Sequence, residues 1–207
     1  MNHIIQALIG LTQNNLPAQM KHYDDFQIIV DKSVQIIQLD NTLYLFSEQE
    51  LLTSVAQLVY KSILNNSENR ERFLAKGSVT KMIDLIRINC ENLHLVVLDI
   101  IGYLTDCPPA YPYLFTWYEK ISGKRLVSKL CECWRMYDKQ CCCSKTERKV
   151  KLEEKISSLI LDLLGDKESI AEYFDINKQH KIQIDHLDMK DRLTIAMIDD
   201  YMKLKID

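Results

Sequence analysis

Five of the 7 cysteines lie close together in the sequence and are the clearest candidates for metal ligands. They are Cys131, Cys133, Cys141, Cys142 and Cys143. Structural zinc sites usually draw on cysteine pairs separated by two residues, and no pair here has that spacing. We therefore predict reduced thiols, with Cys131 facing inward and Cys133 outward on one helix and the triple in a surface loop. Zinc binding or palmitoylation is the alternative.

A second polar stretch is similar to the first half of a calcium-binding EF-hand loop. Its members are Asp175, Asn177, Gln179 and Ile182. His180 stands where that loop needs a glycine for its sharp turn, and His186 stands where it needs a bidentate glutamate. The two histidines, with Asp185 and Asp188, could form a metal cluster, but all four come from one short segment and no second segment supplies further ligands. We predict exposed connector residues here and no metal site.

The sequence contains no motif for nucleophilic or metal-assisted catalysis. It has no nucleophile elbow, no Cys/His motif and no H-E-x-x-H helix. Only 5 glycines are present, which leaves little material for a phosphate-binding loop. We predict that the protein is not an enzyme and that it binds no cofactor.

Residues 120–155 form a basic segment in an otherwise acidic chain. They hold 11 Lys and Arg against 5 Asp and Glu, whereas the whole chain has a net charge of -3. Such a segment favours docking of an acidic partner, for example a tubulin tail or an acidic peptide. A solvated helix face with a flexible loop is the other interpretation. The candidate binding residues are Lys120, Lys124, Arg125, Lys129, Lys145, Arg148, Lys149 and Lys151.

Aromatic residues cluster around the start of this segment. They are Tyr111, Tyr113, Phe115, Trp117, Tyr118 and Trp134. Aromatic side chains of a short helix usually pack under the next structural unit, which favours core packing over a recognition patch. Tyr113 and Trp117 are nevertheless candidate partner contacts, because aromatic residues are enriched in binding hot spots.

The elements that carry these residues are predicted to be helices. The 207 residues include only 5 Gly and 4 Pro, too few turn-forming residues for a sandwich or a barrel. No stretch approaches the roughly 20 apolar residues of a membrane helix, and the start of the chain lacks the features of a signal peptide. Near-neutral charge argues against nucleic-acid binding. We expect a cytoplasmic protein that contacts neither membrane nor nucleic acid.

Capping residues and helical periodicity predict one clear repeat over residues 67–106. Asn69 is expected to cap a short helix that Gly77 ends, because glycine takes the left-handed conformation without strain. Ser78 is expected to cap a second helix, and a long helix that is apolar on nearly every face ends at Thr105. This order of short, medium and long buried helices is that of an armadillo repeat.

Looser repeats flank this one. Helices over 24–39 and 47–65 belong to an earlier unit, and residues 1–16 are predicted to form an isolated amphipathic helix. A later unit begins with a short helix over 113–119 and breaks at Gly123. The 43 residues between Tyr60 and Tyr103 fit the roughly 40–47 residues of HEAT or armadillo units.

The predicted fold class is all-α, an armadillo/HEAT-like helical solenoid of about three repeats with an atypical C-terminal helical cap. The repeats are expected over residues 1–165, and a C-terminal helical extension over 166–207. Terminal units of a solenoid are expected to depart from the repeat pattern.

An ordered series of motifs runs from the long helix to the tail. It comprises the helix end Leu104-x-x-Cys107-Pro108, then Trp117, then a leucine-rich helix from Leu126 to Trp134-Arg135, and finally Asp191 to Ala196 with Ile198, Tyr201 and Lys205. In type and order these motifs resemble the C-terminal region of the armadillo-repeat family of cilia- and flagella-associated protein 69. The resemblance covers roughly residues 90–207.

This resemblance implies a non-catalytic structural protein of the axonemal central apparatus in motile cilia and flagella. Its partners would be other central-apparatus proteins in a large hetero-assembly, with tubulin as a further partner of the basic segment. The tail residues Leu193, Ile198 and Tyr201 are then candidate docking contacts. Members of the family are long solenoids, and this chain is far shorter.

The alternative is a free cytosolic armadillo adaptor that binds one extended or acidic peptide in its groove. Such grooves commonly use asparagines of the third helices, whereas Asn65, Asn66 and Asn69 lie near helix ends. The missing asparagine ladder favours the scaffold. A scaffold is expected to expose apolar helix faces at its open ends and to self-associate when made alone, whereas an adaptor is expected to be a monomer.

Overall fold

The computed structural model describes residues 2–13, 15–39, 46–138, 146–165 and 186–206, and these ranges are helical almost throughout. The helices are α1 (Asn2–Thr12), α2 (Leu16–Lys21), α3 (Tyr23–Leu39), α4 (Phe46–Leu58), α5 (Ser67–Ala75), α6 (Ser78–Asp84), α7 (Glu91–Thr105), α8 (Tyr111–Thr116), α9 (Leu126–Asp138), α10 (Glu147–Leu164) and α11 (Met189–Ile206). A π-helical turn, Val59–Leu64, continues α4. Short 3-10 turns follow α6 at Leu85–Arg87 and precede α8 at Pro108–Ala110.

The chain divides into two compact units, and each has its own buried apolar core. Unit 1 comprises residues 1–100 and unit 2 comprises residues 101–207, with the division inside α7. Fully buried side chains of unit 1 include Phe26, Val55 and Phe73, and those of unit 2 include Leu130 and Ile160. The prediction of an all-α chain is confirmed for the part of the sequence that the structure describes.

In unit 1, each helix of one repeat contacts the matching helix of the next. The short helices α2 and α5 meet where the Asn69 side-chain amide donates to the Gln19 carbonyl at 3.0 Å. The second helices α3 and α6 meet where Gln27 Nε2 donates to Ser78 Oγ at 2.9 Å. These contacts join residues that are 50 and 51 apart along the chain.

The N-terminal helix is not isolated, which corrects the prediction for residues 1–16. It ends at Thr12 and packs against α4, burying Ile5 and Ile9, and Gln6 Nε2 donates to Ser54 Oγ at 2.9 Å. Helix α2 follows and was not predicted. Its six residues are too few for hydrophobic periodicity to reveal.

The structure also corrects two predicted helix caps. The N-cap of α5 is Asn66, whose side chain accepts a hydrogen bond from the Asn69 N–H at 3.1 Å. Asn69 itself is fully buried inside the helix. Gly77, with φ of 65°, precedes α6 and ends the α5 segment as predicted, so Ser78 is the first residue of α6 and not its cap.

In unit 2, α9 packs against both α10 and α11, and these two helices also contact each other. Trp134 of α9 is buried against α10, where its Nε1 donates to Ser157 Oγ at 3.1 Å. On the other side, Arg135 pairs with Asp191 of α11 at 2.8 Å. Helix α8 ends at Thr116, three residues before the predicted end of the short helix at residue 119.

Burial on both sides of α9 corrects the prediction for its cysteines. Cys131 and Cys133 are both buried, although Cys133 was expected to face outward. Desolvation raises the pKa of each thiol to about 12, so both are protonated at neutral pH. A buried protonated thiol is a poor metal ligand.

Several predicted features lie outside the described residues. They are Cys141, Cys142, Cys143, Lys145, the expected short helix over 169–174, and the calcium-loop residues from Asp175 to Asp185. Across the ranges that the structure does describe, His, Cys, Asp and Glu side chains do not gather into a group that suits a metal ion. Within the same ranges, no helix combines the length and apolar character needed to cross a membrane.

Candidate partner-binding surface

The segment between α8 and α9, residues 117–125, forms a closed turn that we call the α8–α9 loop. The Glu119 N–H donates to the Lys124 carbonyl at 2.8 Å, and the Gly123 N–H donates to the Glu119 carbonyl at 2.7 Å. Gly123 has φ of 69°, a conformation that residues with a Cβ adopt at a cost. An antiparallel bridge between Tyr118 and Arg125 closes the base. The loop is therefore held by its own backbone.

The α8–α9 loop presents apolar side chains to solvent. Ile121 is 74% exposed and Tyr118 is 53% exposed. Lys120 is exposed between them, and the Arg125 guanidinium lies 5.7 Å from the centroid of the Tyr118 ring. Ile121 was not predicted from the sequence, although an isoleucine beside a Ser-Gly turn is a usable sequence signal. These four residues form the loop surface.

Two lysines of the predicted basic segment are already engaged within the unit. Lys129 Nζ lies 3.1 Å from Glu119 Oε1 and 3.2 Å from Glu132 Oε2. Lys124 Nζ lies 3.3 Å from the same Glu132 oxygen. The side chains of Lys129 and Glu119 are 13% and 10% exposed, so this pair is largely shielded from solvent. These charges stabilise the base of the loop and are not free for a partner.

The pKa shifts in this cluster follow from the ion pairs. Burial alone lowers the pKa of Lys129, but hydrogen bonding and attraction from Glu119 and Glu132 outweigh it, and the net pKa is raised. Burial likewise raises the pKa of Glu132, but Lys129 and Lys124 outweigh it, and the net pKa is lowered. Both shifts favour the charged forms in the folded protein.

The remaining basic candidates are Arg125, at the end of the α8–α9 loop, and three residues of α10. Arg125 is half-buried and donates to the Thr116 carbonyl at 2.9 Å, which fixes it to the end of α8. Arg148 and Lys151 are exposed and Lys149 is half-buried, all in the first two turns of α10. The structure thus divides the predicted segment into a loop surface, an internal ion-pair cluster and a basic start of α10.

The aromatic and tail candidates separate into buried and exposed residues. Trp117 is buried at the end of α8, and Ile198 is fully buried on α11, so both pack inside unit 2 where a partner does not reach them. Tyr113 and Tyr201 are half-buried. Leu193 is exposed on α11. Of the tail candidates, Leu193 is the one that offers a large apolar side chain to solvent.

Replacing Lys129 with alanine is expected to lower the free energy of unfolding by about 3 kcal/mol, because Glu119 is left shielded without its cation. The lysine contribution is fully present below the unfolded pKa of 10.5 and is lost as pH rises through the raised folded value. The Glu132 contribution is present above 4.5 and is lost as pH falls through the lowered folded value. Urea denaturation followed by circular dichroism between about pH 3 and about pH 11 measures both.

The exposed Lys151 provides the control for this measurement. Lys151→Ala is expected to change the free energy of unfolding by less than about 0.5 kcal/mol across the same pH range. Equal effects of the two substitutions at neutral pH would contradict an internal ion-pair cluster.

Helical repeats whose matching helices stack on one another define an armadillo-type helical solenoid. The family model for cilia- and flagella-associated protein 69, ARM repeat, matches residues 27–171, which is more than half of the chain. The chain therefore belongs to this cilia- and flagella-associated armadillo-repeat family, and both the predicted fold class and the predicted family are confirmed. Comparisons with curated proteins and with solved structures found no match.

Family membership supports some of the other predictions and leaves the rest as predictions. Armadillo-repeat families are typically non-catalytic, which agrees with the absence of catalytic motifs in the sequence. The family name associates the chain with cilia and flagella. The tail motif from Asp191 onward lies beyond the matched residues, so its resemblance stays a prediction, as do the limits of the two predicted domains.

Proposed function

We propose that this chain is a non-catalytic scaffold protein of the axoneme in motile cilia and flagella, where it is part of the central apparatus and docks other axonemal proteins. The observation that carries the proposal is the family match over residues 27–171. Stacked helices supply long, rigid surfaces and few convergent polar groups, which suits docking better than catalysis.

The α8–α9 loop is the proposed docking surface of unit 2. An apolar tip at Ile121 beside the exposed Lys120 suits an acidic partner that also carries an apolar side chain, and a tubulin tail region is such a partner. The backbone hydrogen bonds of the loop hold these side chains before binding, so little conformational entropy is lost on docking.

The localisation part of the proposal is tested with the tagged full chain in two cell types. One bears motile cilia with a central pair of microtubules, and the other bears cilia without the pair. After detergent extraction, the tag is expected to stay in axonemes of the first type and to be lost from the second. Retention in both contradicts the central-apparatus assignment, and loss from both contradicts the axonemal scaffold.

The docking surface is tested by sedimentation of the purified chain with microtubules that carry or lack their acidic tails. The double change Lys120→Glu and Ile121→Ser is expected to reduce binding to tailed microtubules at least about 10-fold, as the loss of one hot spot does. The matched control is Met20→Ser with Lys21→Glu, an exposed apolar and basic pair on α2. Equal loss in both variants contradicts docking through the loop.

A peptide-binding adaptor is the second candidate, and one feature of unit 1 favours it. Helices α1 and α4 and the start of α7 line a polar concavity of about 170 Å³. Gln6 and Gln57 lie in it, joined by a hydrogen bond of 2.9 Å, and Asn92 lies at its edge. Side-chain amides both donate and accept, so they can pair with an extended peptide backbone. If detergent extraction releases the tagged chain from the axonemes of both cell types, this candidate is supported.

A further inference from the structure

Helix α11 has two different faces. One face is buried within unit 2 and includes Asp191, Thr194 and Ile198. The opposite face carries four large apolar side chains that are between 55% and 78% exposed, namely Met189, Leu193, Met197 and Leu204. The first three are four residues apart and Leu204 follows Met197 by seven, and residues at these spacings lie on the same side of a helix, so the four side chains form one stripe along its length. We call them the α11 stripe.

The position of α11 indicates what kind of element covers such a stripe. Arg135 of α9 contacts Asp191 of α11, just as Gln27 of α3 contacts Ser78 of α6. The α9–α11 contacts run from Ser128–His186 to Arg135–Asp191, so these two helices are parallel, as α3 and α6 are; α11 also packs against α10. In a stack of repeats, the free face of a second helix is covered by the second helix of a further repeat.

Helix α3 presents a face of the required kind. Its contacts with α6 run from Gln27–Ser78 to Asp31–Lys81, so the two helices are parallel. Away from these contacts, Ile28 is 52% exposed. Asp25 and Lys32 are exposed three residues before it and four after it, which places them on the same side of the helix. This face carries one apolar residue between an acid and a base.

The charges beside the α11 stripe complement those of α3. Lys190 lies three residues before Leu193, and Asp200 lies three residues after Met197; both are exposed. A second α3, laid on α11 in the parallel orientation of the α3–α6 pair, brings Ile28 between Leu193 and Met197. The same register brings Asp25 towards Lys190 and Lys32 towards Asp200.

We propose that the chain associates head to tail, with α3 of one copy packed on the α11 stripe of another. Such a contact joins two different surfaces, so copies either close into a ring or leave a free end at which the assembly grows. The exposed contact between Asp25 and His22, 3.1 Å long, is replaced by a contact with Lys190. This self-association goes beyond the ciliary scaffold proposal and is tested without any axonemal component.

The test uses the purified full chain and size-exclusion chromatography with light scattering over a range of concentrations. The average mass of the native chain is expected to rise with concentration. Ile28→Glu blocks the α3 face, and Leu193→Glu with Met197→Glu blocks the stripe; each variant alone is expected to be a monomer. Their equimolar mixture is expected to form a one-to-one dimer and no larger species, because one intact surface remains on each partner.

Ile4→Glu is the matched control, since it places the same charge on an exposed isoleucine of α1, outside both surfaces and outside the α8–α9 loop. It is expected to leave the association of the native chain unchanged, and circular dichroism checks that every variant is folded. A native chain that stays monomeric at all concentrations overturns the proposal. The proposal is also overturned if the stripe variant associates with itself. The same holds if Ile28→Glu associates with itself through two α11 stripes.

A charge exchange tests the register independently. Asp25→Lys and Lys190→Glu are each expected to weaken association several-fold, because each brings like charges together. A chain that carries both changes is expected to regain most of the native affinity. Additive losses in the double variant overturn the parallel register.

Discussion

Replacing Arg135 with alanine is expected to lower the free energy of unfolding by about 3–5 kcal/mol, the usual cost of removing one partner of a buried ion pair. The guanidinium lies 2.8 Å from Asp191 Oδ1 and donates to Thr194 Oγ1 at 2.9 Å. The Asp191 side chain is only 4% exposed, so its carboxylate is left buried without a cation. Urea denaturation followed by circular dichroism measures the change.

Two further variants separate the ion pair from simple packing. Arg135→Met combined with Asp191→Leu is expected to recover most of the lost stability, because an apolar pair of similar volume often replaces a buried ion pair without cost. Arg148→Ala removes an exposed arginine and is expected to change stability by less than about 0.5 kcal/mol. If the double variant is instead less stable than Arg135→Ala, the expectation that an apolar pair can replace this ion pair is wrong.

Replacing Trp134 with alanine is expected to lower the free energy of unfolding by about 3–5 kcal/mol, because a buried indole leaves a large cavity. Trp134 is buried between α9 and α10, and its Nε1 donates to Ser157 Oγ at 3.1 Å. Trp117 is the other tryptophan of the 2 in the chain and is also buried, so its fluorescence reports unfolding in the variant.

Trp134→Phe is the matched control for this prediction. The ring is kept while the indole donor is lost, and the Ser157 hydroxyl still donates to the Glu153 carbonyl at 2.7 Å. A cost of about 1 kcal/mol is therefore expected, close to that of one hydrogen bond. Costs of equal size for the phenylalanine and alanine variants would contradict a cavity as the main cause.

The long helices were predictable from sequence, because each buries a periodic apolar face. The predicted helix over 24–39 differs from the observed α3 by one residue at its start. The choice of cap was not predictable in the same way. Asn66 and Asn69 are both good caps. Tertiary structure decides between them, because the Asn69 side-chain amide donates a hydrogen bond to the Gln19 carbonyl of α2.

The candidate site was predictable only in part, because exposure depends on contacts that sequence does not reveal. The charge excess of residues 120–155 is a property of the sequence itself, whereas the pairing of Lys129 with Glu119 depends on the turn at Gly123. Ile198 and Leu193 have the same apolar character in the sequence. Their opposite burial follows from which side of α11 lies against α9 and α10.

The buried polar contacts between the repeats of unit 1 also have a mechanical consequence. Asn69 with Gln19 and Gln27 with Ser78 join successive repeats, and Thr12 Oγ1 lies 3.1 Å from Ser62 Oγ. Sliding one repeat past the other by a helical turn, about 5.4 Å, would break all three contacts at once and leave buried polar groups unpaired. Against shear along the helix axes, the repeats of unit 1 are therefore expected to hold and to yield together, because the three contacts break in a single step.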